Sequence, residues 1–207
     1  MRRVFLAALI VVLTVSVVPS PAMAQYCTAN CDGLPGDPPH FPPARTYDDF
    51  IIETYFGAYG RAPSCAERLI QYNRLVNAAA NGTLLAEARR FVATRFMTAT
   101  SYNTNDLTTY QQTSEYESRN PAWNNSRAAL ESFVTDLYRA FLQRQPDPAG
   151  HCFWSNDACT MGRKHTIRAF EESIEFGRLV EGLYDGGEPD CRLREPDPCD
   201  GPELCTY

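Results

Sequence analysis

Past its first twenty-four residues the chain has no apolar run long enough to cross a bilayer, and nowhere does it gather a cluster of positive charge. The first absence excludes a stable membrane span in the remainder of the chain. The second argues against nucleic acid and anionic membrane as partners, because both need grouped Lys and Arg. The formal net charge is −6, an acidic balance. Three further absences narrow the chemistry. No glycine loop could cradle a phosphate, no EF-hand spacing could hold calcium, and no nucleophile elbow presents a serine. No cofactor is expected.

The first segment, residues 1–24, has the layout of a signal peptide. Arg2 and Arg3 give a positive start, Val4 to Val18 is almost wholly apolar, and Ala22-Met23-Ala24 is a small-x-small cleavage site. Cleavage near Ala24 would leave Gln25 first and deliver a secreted or periplasmic product. Eight cysteines follow: Cys27, Cys31, Cys65, Cys152, Cys159, Cys191, Cys199 and Cys205. In an oxidising compartment an even count reads as disulfides. Eight cysteines allow on the order of a hundred pairings. Cys152 with Cys159 would close a short local loop, and Cys191, Cys199 and Cys205 lie close enough together to staple the tail to itself.

The most organised stretch runs from Phe133 to Trp154. Phe133, Val134, Leu137, Tyr138, Phe141 and Leu142 recur at the spacing of a core-facing helix. Pro146 and Pro148 are expected to stop that helix. Asp147 is placed to cap a following turn, and Gly150 to take an unusual backbone angle. Phe153 and Trp154 are then expected to fold back on the apolar stripe. Arg144, near the helix end, would complement the dipole and bond exposed carbonyls, or else read a partner's carboxylate.

The pattern L-Y-x-x-x-L-x-R-x-P-D-x-x-G-x-x-x-W, carried by Leu137, Tyr138, Leu142, Arg144, Pro146, Asp147, Gly150 and Trp154, resembles domain-of-unknown-function family 4214. That family is a bacterial all-helical module grouped with the phycobilisome-linker superfamily. Phe170, Ser173, Glu175 and Phe176 stand where the family's F-x-x-S-x-E-F ending would fall. The resemblance covers about residues 130–180 and implies a helical fold in an extracellular or envelope setting, with no activity to carry over.

A weaker copy of the same register lies upstream. Phe50, Ile51, Tyr55, Arg61 and Pro63 precede Phe133, Val134, Tyr138, Arg144 and Pro146 by a constant 83 positions. The fold expected is therefore all-α, with two related helical repeats packed together and an irregular, disulfide-bearing N-terminal arm and C-terminal tail. The boundaries read as 25–45 for the arm, 46–102 for the first repeat, 103–125 for a polar linker with Trp123 as an anchor, 126–184 for the second repeat and 185–207 for the tail. Thr46, and Asn125 or Ser126, are the expected helix caps. Tyr72 would stand in for the tryptophan in the first copy.

Candidate chemistry is thin. His151, Cys152, Cys159 and His165 could supply four zinc donors, but their spacing matches no common zinc pattern, and exported cysteines usually oxidise together. Ser173, His165 and Glu172 make a hydrolase triad only on paper. A cysteine nucleophile beside His40 or His151 is no better supported. Glu171-Glu172 and Asp48-Asp49 read as solvated helix surface or dipole complement. Asp190, Asp197 and Asp200 lack calcium-loop spacing. The expectation is a non-catalytic exported module that binds an unknown protein or envelope polymer. The competing expectation is a small secreted hydrolase acting on envelope polymer, its site built from residues distant in sequence.

Overall fold

A computed structural model describes residues 29–36, 45–120 and 126–190. The expected signal segment, Cys27, His40, Trp123, Asn125 and the tail beyond Asp190 lie outside them. Among the described residues the chain is all-helical, with isolated bridges at Thr46–Tyr184 and Met97–Gln112 and no strand.

Helix α1, Tyr47–Tyr59, opens on a capping box. Thr46 accepts from the Asp49 nitrogen, and the Asp49 carboxylate accepts back from Thr46, so two of the donors orphaned at a helix start are satisfied. Ser64 and Glu67 do the same for α2, Cys65–Ala80. Helices α3, Leu84–Phe96, and α4, Ala99–Asn103, complete the first half. After α5, Ser114–Arg119, the second half begins with α6, Arg127–Leu137, capped by Ser126. It runs on as a π-turn over Tyr138–Leu142. Then come α7, Pro148–Thr160, α8, Arg163–Glu171, and α9, Ile174–Glu181.

Both long stripes point inward as their spacing requires. Phe50, Ile51 and Tyr55 from α1, and Phe133, Val134, Leu137 and Phe141 from the second stripe, are all buried. They cross closely because Gly57 has no side chain, and a Cβ there would lie 2.4 Å from the Ala140 nitrogen. Around the crossing, Phe96 stacks on Phe141 at 6.2 Å, and Phe141 meets Phe170 at 6.1 Å and Phe176 at 5.2 Å. These are the separations at which offset and edge-on rings attract. The end of the second half returns to the start of the first: Tyr47 donates its backbone N–H to the Tyr184 carbonyl at 3.0 Å, and Tyr184 donates to Arg45 at 3.0 Å.

Four expectations need correction. The 103–125 stretch is more than a linker, since it contains α5, whose Tyr116 is fully buried and meets Phe96 edge-on at 5.1 Å. A helix under two turns long with one inward aromatic shows no periodicity to read. The second stripe ends at Leu142, ahead of Pro146, where Gln143 takes a left-handed conformation at φ 52°. Pro148 opens the next helix at its first turn, where a missing N–H costs nothing. Gly150 sits in ordinary helical geometry; its role is room, since a Cβ would lie 2.2 Å from the Tyr138 hydroxyl. Phe153 is 57 % exposed and does not fold back, whereas Trp154 is half-buried against Phe170 at 5.1 Å.

The pairing of Cys152 with Cys159 is also overturned. Both lie on α7 seven residues apart, which puts their Cα atoms about 10 Å apart along the axis, beyond the reach of a disulfide. Cys152 instead bonds Cys31, at a Cα separation of 5.7 Å and 121 positions away. Cys65 and Cys159 are disulfide-bonded too. The bridge lays the irregular arm along α7. There Asn156 accepts from the Ala29 nitrogen at 3.1 Å and donates to its carbonyl at 2.9 Å, while Ala149 donates to Pro35 at 3.2 Å.

Candidate functional site

The residues singled out in sequence are brought into two kinds of place. Leu137, Tyr138 and Leu142 are core. Asp147 caps α7, its carboxylate accepting from Gly150 at 2.8 Å. Arg144 does more than complement a dipole. Its Nε donates to Glu175 at 2.6 Å and its Nη2 to the same carboxylate at 3.1 Å, while the guanidinium lies 4.8 Å from the Tyr138 ring centre. Arg61 is held the same way, forked onto Glu67 at 2.9 Å and 5.2 Å from the Tyr55 ring. These bonds to Glu67 hold its carboxyl down at about 2. Planar forks of this kind suit Arg and not Lys.

The reactive groups are committed to structural partners. Ser173 caps α9, accepting from Phe176 at 3.1 Å and donating to the Phe170 carbonyl at 2.9 Å. The Nε2 of His151 lies 2.8 Å from the Glu131 carbonyl and 3.1 Å from the Thr135 hydroxyl. His165 faces Asp157 at 3.2 Å. Cys152 is in the bridge to Cys31, so the four imagined zinc donors do not converge. Among the described residues, no group of three or more His, Cys, Asp and Glu is placed to share a metal.

Two buried carboxyl groups escaped sequence reading. Asp136 lies beneath α5, accepting from the Tyr116 hydroxyl at 2.9 Å and pairing with Arg119 at 3.2 Å. Arg119 also donates to the Gly57 and Ala58 carbonyls at 3.1 and 2.8 Å. Burial pushes the Asp136 carboxyl up to about 6 against the pull of Arg119 and Tyr116. The trio ties α5 to the last turn of α1 and to α6, a joint rather than a binding place.

The second is Glu171, expected on solvated helix surface but only 6 % exposed. Burial pushes its carboxyl up to about 7, with the Tyr102 hydroxyl and the nearby Arg168 and Arg89 pulling the other way. Its Oε1 makes no hydrogen bond to the protein. Glu171 lines a polar cleft of about 320 Å³ together with Tyr102, Asn103, Asn105, Arg168 and Glu172. One wall of the cleft is the loop after α4, and a buried lysine and a half-buried arginine fix it. The sole lysine of the chain, Lys164, is fully buried and donates to the Thr104 hydroxyl, the Thr104 carbonyl and the Asp106 carbonyl. Arg168 adds a bond to the Thr104 carbonyl at 2.7 Å. Nothing in the local pattern Gly-Arg-Lys-His marks Lys164 as buried, and Glu171 is hidden by the exposed Glu172 beside it.

Residues 118–180 match the profile of a domain of unknown function (DUF4214). No curated protein and no solved structure matches the chain. The matched segment covers α6 through α9 almost entirely, with the arginine fork and the Asp147 cap inside it.

Proposed function

We propose that this chain, with its DUF4214 segment at residues 118–180, is an exported, non-catalytic interaction module, secreted or periplasmic after cleavage near Ala24. The observation that carries the reading is the bond from Cys31 to Cys152 across 121 positions. Bridges between remote cysteines persist where the surroundings are oxidising. Cys65 and Cys159, bonded as well, support the same compartment. The commitment of Ser173, His151 and His165 to caps and helix contacts supports a binding role over a hydrolytic one.

The two halves are, in this reading, copies of one helical unit. Positions 83 apart behave alike: Gly60 and Gln143 are both left-handed caps, and Arg61 and Arg144 both lie over the tyrosine six residues earlier. Gly57 and Ala140, another such pair, meet each other at the crossing.

Intact-mass analysis of exported protein, alkylated without reductant, tests the proposal. The expected result is an N-terminus at or near Gln25 and few or no labelled cysteines. A retained Met1, or free thiols at Cys152 and Cys159 with bound zinc, would overturn it.

A further inference from the structure

We propose that the cleft between the α4 loop and the end of α8 binds a neutral, hydroxyl-rich ligand, a sugar unit of a glycan chain. The proposal rests on the interaction-module reading and names a partner class for it.

The cleft is built before any ligand arrives. Its loop wall carries Asn103 and Asn105, and the segment between and just beyond them is held from beneath by the buried Lys164 and by Arg168. A buried ammonium is costly unless its donors are satisfied, and here all three are spent on this one loop. The opposite wall holds Glu171, more than nine-tenths buried, with one carboxyl oxygen that bonds to no protein group. An unpaired buried polar atom carries a desolvation cost, and a turn of that carboxyl toward the cleft would let a ligand hydroxyl relieve it.

The charges lining the cleft select the ligand. A cationic group would face Arg168, with Arg89 close behind Glu171; an anionic one would face Glu172 and Glu171. A polyol avoids both penalties, because each hydroxyl can donate to a carboxyl and accept from a guanidinium or amide. Asn103 and Asn105 present donors and acceptors together, and Tyr102 supplies an aromatic surface with a polar tip. The volume sits at the lower end of the roughly 300–1,000 Å³ common to small-molecule sites. All six lining residues carry a polar group, so the cleft has no apolar pockets of the sort that read alternate side chains of a bound peptide.

Backbone amide shifts of the mature, oxidised chain should be followed during titration with fully N-acetylated chitotriose and with cellotriose. An N-acetylated arginine amide and a Gly-Asn-Gly peptide serve as cationic and peptide probes. The expected result is saturable movement of the Asn103, Asn105 and Glu171 amides with at least one trisaccharide. Asn105→Ala should weaken that binding about tenfold, and Glu171→Leu should weaken it at least as much, while Glu171→Gln, which keeps hydrogen-bonding capacity, retains it. Saturable binding of the arginine or peptide probe in place of the sugars would overturn the proposal, as would shifts confined to another face, or none up to the solubility limit. The mass and alkylation experiment is untouched by any of these results, so a failed sugar site and a failed export reading are told apart.

Discussion

Gly57 of α1 and Ala140 of the π-turn touch backbone to backbone, and the gap between them has no room for a methyl group. Each belongs to a helix whose apolar stripe supplies half the core. Gly57→Ala should therefore destabilise the fold by about 1–3 kcal/mol or more, because the obstructing atoms are main chain and cannot rotate away. Denaturant midpoints of the two proteins check this. An unchanged midpoint would mean that the helices can part without loss.

Arg144→Ala removes a forked ion pair in which both side chains are less than a quarter exposed, together with the contact over Tyr138. The expected loss is about 1–3 kcal/mol, above the range for a solvated helix-end cation. A double-mutant cycle with Glu175→Gln should return a coupling of about 1 kcal/mol. Additive single effects would reduce the fork to a surface contact.

Phe141→Ala and Trp154→Ala should separate clearly. Phe141 is fully buried among Phe96, Phe170 and Phe176, so its removal should cost about 3–5 kcal/mol. Trp154 is half-buried at the outer side of Phe170, and its loss should cost less. Equal effects in thermal unfolding would show that the core extends to the indole.

Glu171 predicts a pH dependence of defined sign. Its folded carboxyl titrates at about 7 against an ordinary value of 4.5, so the folded state holds the proton more tightly. Its contribution to stability is full below about pH 4.5, falls as pH rises to about 7, and is flat beyond. At about 1.4 kcal/mol per unit the fall comes to about 3–4 kcal/mol as an upper figure. Asp136, also raised, slopes the same way over a lower range, whereas Glu67, held down, acts only as pH drops below 4.5. The difference between parent and Glu171→Gln isolates the one group. Parallel stability curves for the two from pH 4 to 8 would sink the assignment.

The fold class and the main caps were legible because their signals are local. Thr46, Ser126 and Asp147 each precede their helix by one position, and the inward stripes recur at helical spacing. The polar cleft was not legible, since its walls come from segments some sixty positions apart and its buried groups, Lys164 and Glu171, look like helix surface in sequence. The pairing of Cys31 with Cys152 was hidden for the same reason: spacing ranks near neighbours, while geometry forbids the nearest one on a shared helix.

The profile match at 118–180 cuts through the middle of the core. Phe133, Phe141 and Phe176 lie inside it, but Phe50 and Phe96, which pack on them, lie outside. The recognisable segment is thus half of a clasp, and its inner face is finished by α1. Excised, it would bare that face to water. If the two halves are copies of one unit, as proposed, a second copy of the excised segment would substitute for α1, and light scattering of the fragment would then show a dimer. In this chain the tether between the two halves fixes the pairing as one to one, so the clasp closes on itself and the segment is spared a search for a partner.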